Sequence, residues 1–362
     1  MMIFDSPKVV RLLKHYAETT DYSVPDIVFL ARSNFFSNER QCLETLIAEA
    51  PEPKQTDWIN RLTETSHDKY IGAWFEIHLW AWLRSFGSAY VEPTYGEDKP
   101  DFILDTGSEQ IAIEGKAILV DAAERKMQQW QSQVTYAIHG IQRPYMIEID
   151  RLELTAAVPD LADFVDCVAT WLDNQPTEPF YYHPADSVHI VLTCLARDQK
   201  YEHIVTIGPT TTRASNPKSL HRPLRKKPGQ HSDVRAAGLP YVVAIFIEPW
   251  HLSAEDIAEA WFGQGQIIYD VEHNAVTAHQ HDGTGISYFG SQIQHTSVSG
   301  SLVFRASEPA NSSCNPFRCW FIQNPFARTP VRSDMFPVES SYVVEGRSPT
   351  AYQMRWRQGK GS

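Results

Sequence analysis

Apolar residues recur at helical spacing in "VVRLLKHY" and "ERQCLETLIAEA". Residues 1–66 therefore read as helices, interrupted by a polar joint, "PEPKQTDW". Residues 68–87, "DKYIGAWFEIHLWAWLRSFG", predict a longer helix that stops at Gly87. The period then changes to two. "AYVEP" reads as a short strand, and "PDFIL" and "QIAIEGKAILV" as two more, joined by "DTGSEQ", whose Asp and Gly suit a turn. Helical spacing returns in "DAAERKMQQWQSQVTYAIHG", with Met127, Trp130, Val134 and Ile138 as its apolar stripe, and "PYMIEIDRLEL" alternates as a strand. From residue 68 to 153 the predicted order is helix, three strands, helix, strand.

The second half is mixed. "LADFVDCVATWLD" and "SAEDIAEAWFG" predict helices, and "VHIVLTCLA", "VSGSLVF" and "CWFIQ" predict strands. "LPYVVAIFIEP" is nearly all apolar, the pattern of a central strand covered on both faces. The last residues, "SPTAYQMRWRQGKGS", are basic and aromatic and read either as a disordered tail or as a segment that stacks on single-stranded nucleic acid. The expected organisation is a helical cap over residues 1–67, a core over 68–153 and a mixed α/β region over 154–362. Either "PYMIEIDRLEL" completes the core sheet or "YVVAIFI" does, the latter with residues 155–225 inserted.

At 362 residues the chain suits two modules or one large domain with an insertion, and 43% apolar and 12% aromatic residues suit a globular core. The net charge of 32 − 44 = −12 argues against a protein coated in nucleic acid. A local basic groove remains compatible with it. "TTTRASNPKSLHRPLRKKPGQHSDVR" carries Arg213, Lys218, Arg222, Arg225, Lys226, Lys227 and Arg235 against Asp233 alone. Such a stretch is either a solvated loop or a nucleic-acid-binding segment that neutralises phosphates without reading sequence. No apolar run reaches the roughly 18 residues of a membrane span. The N-terminus shows no secretory pattern, and five widely spaced cysteines suit a reducing compartment, so the expected location is the cytoplasm. No GxSxG elbow or Walker A lysine is present.

The charges inside the predicted strands alter the picture. Side chains alternate along a strand, so Glu114 and Lys116 share one face and Ile111, Ile113, Ala117 and Leu119 the other. Antiparallel pairing through the 105–110 turn would bring Asp101 beside Glu114. Two carboxylates that close repel, and a divalent cation relieves the repulsion. Their hard oxygens suit Mg²⁺ or Mn²⁺. Lys116 would stand at the edge of the same pocket, able to orient a water or stabilise charge on a phosphate. Glu76 lies on the apolar stripe of Gly72, Ala73, Leu79, Trp80 and Leu83, where a carboxylate needs a partner. The strand acids and their metal are the expected one.

Pro100-Asp101 and Glu114-Gly115-Lys116, after a helix carrying Glu76, resemble the PD-(D/E)XK nuclease superfamily over residues 68–153. The resemblance implies an α/β protein with a restriction-endonuclease-like mixed sheet flanked by helices. It implies that Asp101 and Glu114 bind the catalytic Mg²⁺ or Mn²⁺, that the Gly115 carbonyl adds a ligand, and that Lys116 assists the attacking water. Glu76 would support that metal or help bind a second. The implied reaction is phosphodiester hydrolysis, with DNA as the expected substrate and defence against foreign DNA or repair as the setting. A homodimer would suit double-strand cleavage. One departure is that Tyr136 has Ser132 four residues earlier, so the QxxxY motif of some relatives is not matched. The alternatives are a non-catalytic nucleic-acid- or protein-binding module on the same fold and an RNA-directed nuclease.

Overall fold

The computed structural model of the chain describes residues 3–17, 24–32, 36–119, 122–197, 204–207, 220, 232–248, 252–262, 265–270, 275–281, 288–289, 292–293, 296–306, 316–347 and 352–358. Four helices come first: α1 (Pro7–His15), α2 (Asp26–Arg32), α3 (Ser37–Glu49) and α4 (Glu52–Leu62). The stretch read as a polar joint is largely α4. It starts after Pro51 and carries a proline in its first turn, where the missing N–H has no helical partner to lose. Next come α5 (His67–Arg84), β1 (Ser88–Val91), β2 (Phe102–Asp105) and β3 (Gln110–Ile118). The β2–β3 turn rests on Gly107 at φ 80, whose amide donates to the Asp105 carboxylate at 2.8 Å.

The chain continues through α6 (Ala122–His139), β4 (Tyr145–Leu154), α7 (Leu161–Asp173), β5 (Phe180–Ala185), β6 (Val188–Arg197) and β7 (Val205–Ile207). These belong to a separate compact unit, Lys14–Val24 with Val120–Arg213. Its sheet runs β5-β6-β4-β7. Val134 and Ile138 of α6 and Phe164, Val168 and Leu172 of α7 are buried with Ile147, Ile149, Ile190 and Leu192 of that sheet. Asp160 caps α7, its carboxylate accepting from the Asp163 amide at 2.9 Å.

The other unit comprises Met1–Leu13, Pro25–Leu119 and Ala214–Ser362. It adds α8 (Ser232–Ala236), β8 (Tyr241–Ile247), α9 (Ala254–Phe262), β9 (Gly265–Asp270), β10 (Ala275–His281), β11 (Tyr288–Phe289), β12 (Gln292–Ile293), β13 (Gly300–Ala306), β14 (Phe317–Gln323), β15 (Ser340–Arg347) and β16 (Tyr352–Gln358). Its eight-stranded sheet has the order β1-β2-β3-β8-β13-β14-β15-β16. The pairs β1–β2 and β2–β3 are antiparallel, and β3–β8 and β8–β13 are parallel. All seven residues of β8 are buried, as its unbroken apolar run requires of a central strand.

Both sheet faces at β8 are covered. On one, Phe75 of α5 stacks on Phe246 with ring centroids 5.5 Å apart and also meets Phe304 and Phe317. On the other, Ala112, Ile118, Val243, Ile245 and Ile247 share a core with Ile257, Ala258 and Trp261 of α9.

Of the two strands that could complete the core sheet, "YVVAIFI" is the one beside β3. A core ending at residue 153 would include β4, but β4 belongs to the other unit and β8 is the strand beside β3. Alternation shows that a segment is a strand and does not show which sheet it joins. In the tail, Tyr352–Gln358 form β16 at the sheet edge, antiparallel to β15, which corrects the reading of that segment as disordered. Among the described residues, no helix is long and apolar enough to cross a membrane.

Candidate active site

The β2–β3 register pairs Phe102 with Ile113 and Ile103 with Ala112, so one step further Asp101 faces Glu114. The Asp101 amide points to the Glu114 carboxylate (3.4 Å), and the Gly115 amide donates to the Asp101 carboxylate (2.8 Å). The Asp101 carbonyl accepts from the Glu92 amide at 2.8 Å. Asp101 is thereby fixed on both sides by backbone geometry.

Glu114 is only 6% exposed, in the middle of β3 and opposite Val243 of β8. A carboxylate is rarely left in such a place without compensation. Lys116 follows on the same face of β3 and is half-buried. Gly115 faces the other side of β3, where a Cβ would lie 3.4 Å from Asp101 Oδ2, 3.6 Å from Phe75 and 3.8 Å from Leu79 of α5. The structure thus brings Asp101, Glu114 and Gly115 together, with Lys116 next along the strand.

Glu76 is held differently from the expectation. Its carboxylate accepts from Trp58 Nε1 (3.1 Å) and Arg61 (2.8 Å) and lies 3.5 Å from the Lys54 ammonium, so its partners are on α4. Gly72, one turn before Glu76, leaves room for this, because a Cβ there would be 2.8 Å from the Arg61 guanidinium. Burial works against the charge of Lys54, but hydrogen bonds to Glu92 and Asp57 and the field of Glu76 outweigh it and raise its pKa. Arg61 is likewise opposed by burial and raised by Glu76 and Asp57. Sequence reasoning missed these residues, yet a signal was there. Lys54, Asp57 and Trp58 inside the supposed joint and Arg61 just after it recur at helical spacing.

Two further clusters tie neighbouring elements of the same unit together. The Asp98 carboxylate accepts from the amides of Asp233 (2.6 Å) and Val234 (3.1 Å), and the Asp233 carboxylate accepts from the Glu97 amide (2.6 Å). This reciprocal pair pins the loop that leads into Pro100-Asp101. His67, at the start of α5, is held between Asp26 of α2 (3.0 Å) and Glu248, which follows β8. Burial opposes its charge, but the two carboxylates prevail and push its pKa up to about 9.

Among the described residues, no group of three or more His, Cys, Asp or Glu is placed to hold a metal ion. Asp101 and Glu114 each carry hard carboxylate oxygens, the donor type that suits Mg²⁺ or Mn²⁺, and the described contact between them runs from the Asp101 amide to the Glu114 carboxylate. Arg213, Lys218, Arg222, Arg225, Lys226 and Lys227 lie outside the described residues. No family model, no curated protein and no solved structure matches the chain.

Proposed function

We propose that this chain is a metal-dependent nuclease of the PD-(D/E)XK kind that hydrolyses phosphodiester bonds in DNA. One observation carries the reading: the antiparallel register sets Asp101 against a buried Glu114, with the Asp101 carboxylate locked onto the Gly115 amide. The strand order supports it. Three antiparallel strands are followed by a parallel neighbour of β3, after a helix that packs on β3.

Asp101 and Glu114 would hold Mg²⁺ or Mn²⁺, with the Gly115 carbonyl as a further oxygen donor. A divalent cation there supplies an acidified water and charge stabilisation at a phosphoryl oxygen. Lys116 orients the water or neutralises charge building on the phosphate. Glu76 drops out of the metal-binding set, because two cations and an indole already satisfy its carboxylate.

Incubating supercoiled plasmid with the protein in Mg²⁺ and in EDTA, for wild type and Lys116→Ala, tests this. Nicking that needs Mg²⁺ and is lost in the variant supports the assignment, and undiminished nicking by the variant overturns the site. Binding without cleavage by the wild type would leave the non-catalytic module. Competition with RNA settles which nucleic acid is cut.

A further inference from the structure

The hydrogen bonds around Asp101 lead outward to a residue that the reaction does not otherwise use. Glu92, just past β1, donates its amide to the Asp101 carbonyl at 2.8 Å. It does so at φ 43, a left-handed conformation uncommon for a residue other than glycine. In this conformation the amide stays in the sheet ladder while the carboxylate turns to Lys54 on α4.

Lys54 is 9% exposed overall. An ammonium has three N–H donors. Here it meets three carboxylates: Glu92, Asp57 at 3.0 Å and Glu76 at 3.5 Å. Asp57 is on the same helix, but Glu76 comes from α5 and Glu92 from the end of β1. The ammonium therefore fixes those two elements relative to one another. Without it, Arg61 still faces Glu76 and Asp57, but among the described residues no other cation on α4 meets the Glu92 carboxylate where its unusual backbone conformation places it.

We propose that Lys54 is a positioning residue for Asp101, acting through Glu92 to hold the Asp101 backbone against Glu114. The inference rests on the nuclease reading for its consequence in catalysis, and its physical content is independent of that reading. A buried lysine that only stabilised the fold would loosen α4 and α5 when removed. A positioning lysine loosens residues 91–102.

Hydrogen exchange on the full chain without added metal tests this for Lys54→Met and Lys54→Arg, alongside the Mg²⁺ dependence of plasmid nicking. The expected result in Lys54→Met is exchange at least ~10-fold faster confined to peptides covering 91–102, with Lys54→Arg restoring protection. Nicking in Lys54→Met should need more Mg²⁺ for half-maximal rate, with DNA affinity unchanged. Unchanged exchange across 91–102 overturns the proposal. If Lys54→Met loosens the whole unit, Glu92→Asn decides. Asparagine tolerates the left-handed conformation but is too short to reach Lys54. Local loosening in that variant supports the proposal, and its absence overturns it. A wild type that does not nick DNA counts against the nuclease reading alone, since the exchange result still decides the role of Lys54.

Discussion

The Gly115 amide donates a 2.8 Å hydrogen bond to the Asp101 carboxylate, joining the residue before β2 to the middle of β3. This bond aims the carboxylate, and α5 packs close to β3 at the same glycine. A Cβ at Gly115 would be 3.4 Å from Asp101 Oδ2 and 3.6 Å from Phe75.

Substitution at Gly115 should be graded by size. Gly115→Ala makes contacts at ordinary separation and should change stability by about 1 kcal/mol or less, whereas Gly115→Val overpacks the α5 interface and should cost roughly 1–3 kcal/mol. Urea midpoints at constant slope measure both. A valine variant as stable as wild type would mean that α5 does not pack on β3 there.

His67 provides a pH signature. Its pKa is raised from 6.5 to about 9 in the folded protein, burial opposing and Asp26 and Glu248 favouring the charge. A raised folded pKa contributes stability that is complete below the unfolded value, declines as pH rises through the folded one and is gone above it. Tyr70, fully buried and pushed up by burial and by the fields of Asp26 and Glu39, stays neutral across this window. The stability difference between wild type and His67→Gln should therefore be largest near pH 6 and shrink between about pH 6.5 and 9. Thermal melts across pH 6 to 10 would show it; a difference that grows with pH would contradict the assigned bridge.

Much of the site was legible in the sequence because it depends on short-range rules. Alternation places Glu114 and Lys116 on one face, and a hairpin with a glycine turn fixes the register that sets Asp101 opposite Glu114. The partners of Glu76 were not legible as partners. Lys54 and Arg61 meet it only through packing of α4 on α5, and a helix that opens Pro-Glu-Pro reads locally as a joint. The two-unit division was legible only as one of two alternatives, because local pattern does not say which strand joins β3. "PYMIEIDRLEL" alternates and "YVVAIFI" is uniformly apolar, and both make strands. The uniform burial of "YVVAIFI" was the one clue that it takes the central place beside β3.

The central claim is that Asp101 and Glu114 together hold a divalent cation. Mn²⁺ titrated into the wild type and into Asp101→Asn, followed by electron paramagnetic resonance of the free ion, tests it most directly. The account predicts saturable binding to the wild type that is lost or at least ~10-fold weaker in the variant, because the neutral amide removes one of two anionic ligands. Equal binding by both proteins would contradict it.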